Sequence, residues 1–211
     1  MKSTIVNVLK ITLVYTLLCV ATYLMLRTIV GYTSLDEQYA FLKFKQEYLN
    51  ITAWKIAFYI HVFTSIFCLL AGFTQFSKFV LINYKKLHKL MGKIYVFNIL
   101  IVNFSAALIM AYYANGFLPS KIAFFILDIL WFWFTLKAFL EIKKGNIKKH
   151  KEYMIRSYAL TFSAITLRTW KLVLSSTFTI DPVTLYMIDA WLGFVPNLLV
   201  AEFIIRNKNK N

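Results

Sequence analysis

The sequence predicts an all-α polytopic membrane protein with six transmembrane helices, the middle four (spans 2–5) forming a four-helix core. Three observations predict it. Six apolar stretches are each long enough to cross a bilayer, which takes about 20 residues. The loops between them alternate between rich and poor in Lys and Arg. The chain is also 60% hydrophobic with a mean hydropathy of +0.63, well above a soluble domain, where apolar usage is nearer half.

The first stretch, 9–31, follows Lys2 and Lys10. It is too long for the apolar region of a signal peptide and lacks a small-x-small cleavage site, so it reads as a membrane anchor. Stretches 53–76, 94–114, 122–141, 153–176 and 184–205 supply the other five spans of a single 1–211 transmembrane domain. Cys19 and Cys68 both fall inside apolar helices, which argues against a disulfide framework.

Loop charge sets the direction of insertion. Lysines crowd the loop at 77–93 (Lys78, Lys85, Lys86, Lys89, Lys93) and the loop at 142–151 (Lys143, Lys144, Lys148, Lys149, Lys151), and the C-terminus adds Arg206, Lys208 and Lys210. The 115–121 loop has only Lys121, and the 177–183 loop has no base. Six crossings with both termini in the cytoplasm satisfy every loop at once. The net charge of +15 is therefore read as orientation signal and as contact with anionic lipid headgroups on the cytoplasmic face. Nucleic acid is excluded as a partner, because the cations sit in short loops beside apolar runs.

Two lysine-rich loops lead into helices with similar wording, KKLHKLMGKIYV from Lys85 and KKHKEYMIRSYA from Lys148. Aligning Met91–Tyr95 with Met154–Tyr158 places a His just upstream of each, His88 and His150. Spans 2–3 and 4–5 thus read as related hairpins, a parallel repeat. In span 2, His61, Ser65, Cys68, Gly72 and Gln75 share one helical face, and in span 5 Ser157, Thr161, Ala164, Arg168 and Lys171 do the same. Small and hydroxylated faces favour close helix contact in lipid, so tight packing alone explains their uncharged members.

The charged members need more, since ionisable groups inside a membrane are costly. At about 1.5 Å per residue, His61 lies about 10 Å from the outer boundary, Asp128 about 9 Å, Arg168 about 12 Å, and Lys171 and Asp189 about 8 Å. These five form a candidate outer polar pocket, with His61 as its titratable member near neutral pH. A salt-bridge network or a snorkelling Lys171 is the plainer alternative. Gln75, His88, Lys93, His150 and Arg156 form a second polar zone at the cytoplasmic face. Pro196, seven residues after Asp189, is expected to kink span 6 and free a backbone carbonyl.

At His61 with Leu70-Ala-Gly-Phe-Thr-Gln-Phe76, at His88-Lys-Leu-Met-Gly-Lys-Ile-Tyr95, and above all at His150-Lys-Glu-Tyr-Met-Ile-Arg-Ser-Tyr-Ala-Leu-Thr-Phe with Leu167-Arg168, the chain resembles a bacterial family of predicted membrane proteins, domain of unknown function 2306. The resemblance covers about residues 55–170. It implies that His61, His88, His150 and Arg168 are family motif positions and that the host is bacterial, with the inner membrane as location. Where the family reads Gly-Pro-Gln, this chain has Gly72-Phe73-Thr74-Gln75 and loses a kink. The resemblance implies no activity.

Four functions compete. A haem b protein carrying electrons through the membrane would use His88 and His150 as axial ligands, with Lys93 or Arg156 near the propionates. The paired-hairpin core is loosely similar to the ascorbate-dependent transmembrane cytochrome b family, but three His residues exclude two bis-His haems. A transporter or binding protein would meet a small anion with Arg168 and Lys171, while Asp128, Asp189 and His61 balance charge; a homodimer would compensate for its few helices. An enzyme using His61 and Asp128 lacks any HExxH, Ser/His/Asp order or phosphate-binding Gly loop, and no metal site is expected. A non-catalytic role, with polar groups that only specify packing, completes the set.

Overall fold

The computed structural model describes residues 2–210, which form helices and turns with no strand among them. Contacts divide the chain into two units, Met1–Gln46 and Glu47–Asn211.

The first unit is α1 (Lys2–Gly31) and a run of tight turns including Tyr32–Ser34 and Leu42–Phe44. Side chains tie the turns together. Gln46 Nε2 donates to the Glu37 carbonyl at 2.7 Å and the Leu42 carbonyl at 3.1 Å. The Phe41 N–H donates to the Tyr32 hydroxyl at 3.2 Å, and the Tyr32 and Tyr39 rings meet edge-on.

The second unit holds α2 (Thr52–Gln75), α3 (Lys78–Asn83), α4 (Lys85–Phe97), a π-helical stretch Asn98–Asn103, α5 (Phe104–Tyr112), α6 (Phe117–Lys143), α7 (Ile147–Thr161), α8 (Ser163–Thr177), α9 (Pro182–Leu192) and α10 (Val195–Lys210). Among the described residues, five stretches are long and apolar enough to cross a membrane: Tyr15–Ser34, Thr52–Gln75, Lys85–Tyr112, Phe117–Lys143 and Pro182–Asn209. The chain is thus a multi-pass helical membrane protein in contact with the lipid bilayer. The remaining expected span, 153–176, falls within α7 and α8, which meet at Phe162 with helical dihedrals (φ −69°, ψ −14°), and is not among the five. Its Ser, Thr, Arg and Lys residues leave it outside the five most apolar stretches.

α2 packs along α4, the π stretch and α5; α5 packs on α6; α6 lies along α7; and α7 is backed by α10. Two antiparallel hairpins, α2 with α4–α5 and α6 with α7, make the four-helix core. Ala71, Ala123 and Ala138 lie in its centre beside Cys68, Tyr95, Ile99, Trp131 and Leu160, with Ala190 of α9 in the same buried cluster, and such small side chains let helices approach where lipid offers no hydrophobic drive.

Two expectations change. The basic segments at 77–93 and 142–151 are mostly helical rather than loop. Ser77 caps α3 by accepting from the Val80 N–H at 3.3 Å, and Asn146 caps α7 by accepting from the Lys149 N–H at 3.2 Å. Lysine is a good helix former once a cap starts the turn. Pro196 marks a break rather than a kink: it is the second residue of α10, in the first turn where its missing N–H costs nothing. The Gly193 carbonyl beside the break accepts from the Thr166 hydroxyl and the Asn197 amide.

Candidate functional site

At the lysine-rich end of the bundle, each hairpin docks the first-turn His of its second helix on the last turns of its first. His88 of α4 sets Nδ1 3.4 Å from the Thr74 carbonyl, and its own carbonyl accepts from Gln75 Nε2 at 2.9 Å. His150 of α7 donates from Nδ1 to the Ala138 carbonyl at 2.8 Å. A carbonyl can only accept, so this contact fixes the His150 proton on Nδ1 and leaves Nε2 with its lone pair. Both imidazoles are half-buried and interact electrostatically. His150 lies just outside the spans. Burial holds it below the ordinary imidazole value of 6.5, with His88 and Lys151 acting the same way and the Ala138 carbonyl opposing. The neutral, lone-pair-bearing form is thereby favoured.

About 10 Å further along each helix, the aligned tyrosines cross between hairpins. Tyr95 of the first reaches the second, sharing hydrogen bonds with Ser157 Oγ at 2.7 Å and Thr161 Oγ1 at 2.8 Å. Tyr158 of the second reaches the first, donating to the Leu69 carbonyl at 3.0 Å. Reciprocal contact of this kind is what two related halves make about a two-fold axis. Gly72 is what admits Tyr158, since a Cβ there would overlap the phenol. Around Tyr95 the network closes. Trp131 Nε1 donates to Thr161 Oγ1 at 2.9 Å, and Thr135 Oγ1 shares a hydrogen bond with Ser157 at 2.6 Å and donates to the Trp131 carbonyl at 2.7 Å. Tyr95, Thr135 and Ser157 are fully buried. The periodic stripe identified Ser157 and Thr161, but not Tyr95, Trp131 and Thr135; the i, i+4 spacing of Trp131 and Thr135 was their signal.

Lys93 and Arg156, equivalent in the two hairpins, differ in their surroundings. Lys93 is exposed. Arg156 grips Glu202 of α10 with both Nε and Nη2, at 2.5 and 2.9 Å, and lies over the rings of Phe134 and Tyr153.

Another polar zone lies between α2 and the π stretch. Asn98 Nδ2 donates to the Thr64 carbonyl at 2.6 Å. Asn103 Nδ2 donates to Thr64 Oγ1 at 2.9 Å and also to Asn98 Oδ1. Two Asn five residues apart in an apolar run share a face only where the helix widens to the π form, so the 3.6-residue stripe did not find them. His61 lies beside Asn103 and within electrostatic reach of Arg168. His61 Nδ1 and Asn103 Oδ1 are both buried without a hydrogen bond of ordinary geometry, and the two side chains interact with each other.

The five residues of the expected outer pocket fall into three places. His61 is near Arg168, whose Nη1 donates to the Ala164 carbonyl at 2.6 Å while the side chain stays exposed. Lys171 acts on Asp189, which is buried with one carboxylate oxygen unpartnered. Asp128 is buried on α6 and makes no hydrogen bond or ion pair with the other four among the described residues. No group of three or more His, Cys, Asp or Glu side chains able to hold a bare metal ion occurs among the described residues.

A family model described as predicted membrane protein (DUF2306) matches residues 58–205, more than half of the chain. No curated protein and no solved structure matches.

Proposed function

The chain belongs to the DUF2306 family of predicted membrane proteins, and on that premise we propose that it binds one haem b between His88 and His150 and carries electrons through the membrane. The observation that carries this reading is the shared pose of the two imidazoles. Each has Nδ1 turned to a backbone carbonyl of the preceding helix, the support a ligating His needs to keep its ring oriented and Nε2 basic. Two axial donors suffice, because the porphyrin supplies four nitrogens of its own. The bound group would supply a one-electron couple at iron. Lys93 is exposed and available to a propionate. Arg156 spends two of its five N–H groups on Glu202, leaving three. The sealed Tyr95–Ser157–Thr161 cluster below the histidines excludes water and fixes the helix spacing.

The orientation that suits the lysine distribution puts six crossings in a bacterial inner membrane, with both termini and the His88/His150 end in the cytoplasm. The test is a visible spectrum of the purified protein from haem-replete cells, oxidised and then reduced with dithionite. A Soret band that shifts on reduction is expected. It should vanish in His88→Ala and in His150→Ala and persist in His61→Ala. A flat trace overturns the reading.

A second reading rests on a separate observation, the buried His61–Asn103 pair, in which neither His61 Nδ1 nor Asn103 Oδ1 makes a hydrogen bond of ordinary geometry. A small polar molecule or ion bound or transported there would satisfy both. In that case Arg168→Ala abolishes uptake or binding while His88→Ala leaves it intact. If instead these groups only specify packing, Arg168→Ala lowers stability alone.

A further inference from the structure

At the lysine-rich end, α7 and α10 part to form a groove of about 400 Å³ lined by Lys148, Lys151, Glu152, Ile155, Ile205, Lys208 and Asn209. Its chemistry is graded along the helix axes. Lys148, Lys151 and Lys208 are exposed at the mouth. Ile155 lies about 10 Å deeper than Lys148 along α7, and Ile205 about 4.5 Å deeper than Lys208 along α10. Ile205 is buried and Ile155 half-buried, so the floor is apolar. The one acid in the lining, Glu152, accepts from Asn209 Nδ2 at 3.1 Å. That bond ties the two rims together and turns one carboxylate oxygen to the amide. One further turn in, the Arg156–Glu202 pair clamps the same two helices.

We propose that this groove binds one anionic phospholipid, its phosphate held by Lys148, Lys151 and Lys208 and the start of an acyl chain lying on Ile155 and Ile205. Three cations above an apolar floor complement a molecule that is anionic at one end and hydrocarbon at the other. A basic pocket between spanning helices at headgroup level is where such lipids bind. A soluble anion would leave the half-buried Ile155 facing water, and a zwitterionic lipid would leave the lysine charge unmatched. The occupant comes from the bilayer that surrounds the chain, so the proposal stands apart from the haem reading and fails separately from it.

The test uses the full chain released from nanodiscs of equal phosphatidylglycerol and phosphatidylcholine, with retained lipid counted by native mass spectrometry. One lysine near an anionic surface is worth about fivefold in binding, so a strong preference for one phosphatidylglycerol is expected. The triple change Lys148→Gln, Lys151→Gln, Lys208→Gln should reduce that preference by at least tenfold. The triple change Lys85→Gln, Lys86→Gln, Lys89→Gln removes the same charge from α4 and should leave it intact. Ile155→Asn should weaken retention with every lysine present. All these positions are exposed or half-buried, and a monodisperse gel-filtration peak checks each fold. Equal loss in the two triples would reduce the effect to diffuse attraction and overturn the proposal. So would equal retention of phosphatidylcholine, or displacement by inorganic phosphate at constant ionic strength.

Discussion

Tyr95 and Tyr158 stand at the same point of two hairpins that carry the same sequence echo, and each reaches across to the other hairpin. Tyr95 enters a cluster of side-chain hydroxyls, while Tyr158 slides over Gly72 to a backbone carbonyl. The neighbouring positions diverge in the same manner. His150 holds its carbonyl at 2.8 Å and His88 at 3.4 Å; Arg156 is gripped by Glu202 and Lys93 is exposed. Even the irregularities correspond, since the π stretch begins at Asn98, three residues after Tyr95, and the α7–α8 junction falls at Phe162, four after Tyr158. The second hairpin has α10 against α7, and positions aligned by the echo meet different partners where their neighbours differ.

The comparison can be broken most sharply at Gly72. Gly72→Ala drives a methyl into the Tyr158 phenol and should cost about 2–3 kcal/mol of stability. Tyr158→Ala in the same chain should recover part of that loss in a denaturation-based double-mutant cycle. Tyr158→Phe should not, because ring carbons as well as the hydroxyl meet the new Cβ. Next comes the pair of tyrosines themselves. Tyr95→Phe removes a hydroxyl shared by two buried partners and should cost about 2 kcal/mol, against about 1 kcal/mol for Tyr158→Phe with its single bond. Equal effects would mean that the two crossings are energetically alike.

A smaller contrast separates the equivalent cations. Arg156→Met loses a two-pronged pair, but Glu202 is 38% exposed at its side chain, so the cost is discounted to about 1 kcal/mol. Lys93→Met should change stability by less than about 0.5 kcal/mol. The smallest effect lies outside both hairpins and serves as their reference. Asp181 caps α9 by accepting from the Val183 and Thr184 N–H groups, each at 3.0 Å, and these bonds, led by Thr184, hold its carboxyl below the ordinary 3.8. A depressed carboxyl contributes stability above its unfolded value and loses it as pH falls through the folded one. Asp181→Ala should therefore lower the melting temperature slightly at neutral pH and make no difference in strong acid.

The sequence by itself determined the membrane class, its all-α multi-pass character and the inward faces of α2 and α7 near Cys68, Gly72, Ser157 and Thr161. Those follow from hydropathy and helical period, which are local properties of the chain. It also carried the echo that pairs the hairpins. Only the tertiary structure decided which polar groups meet. Depth along the bilayer placed His61, Asp128, Arg168, Lys171 and Asp189 at one level, but partners depend on helix rotation and on which helices are neighbours, and neither is encoded in depth. The Tyr95–Trp131–Thr135 cluster and the Asn98–Asn103 pair were hidden for the same reason. The first joins α4 and α6 through Ser157 and Thr161 of α7, and the second needs a π stretch, whose wider turn no 3.6-residue pattern reveals.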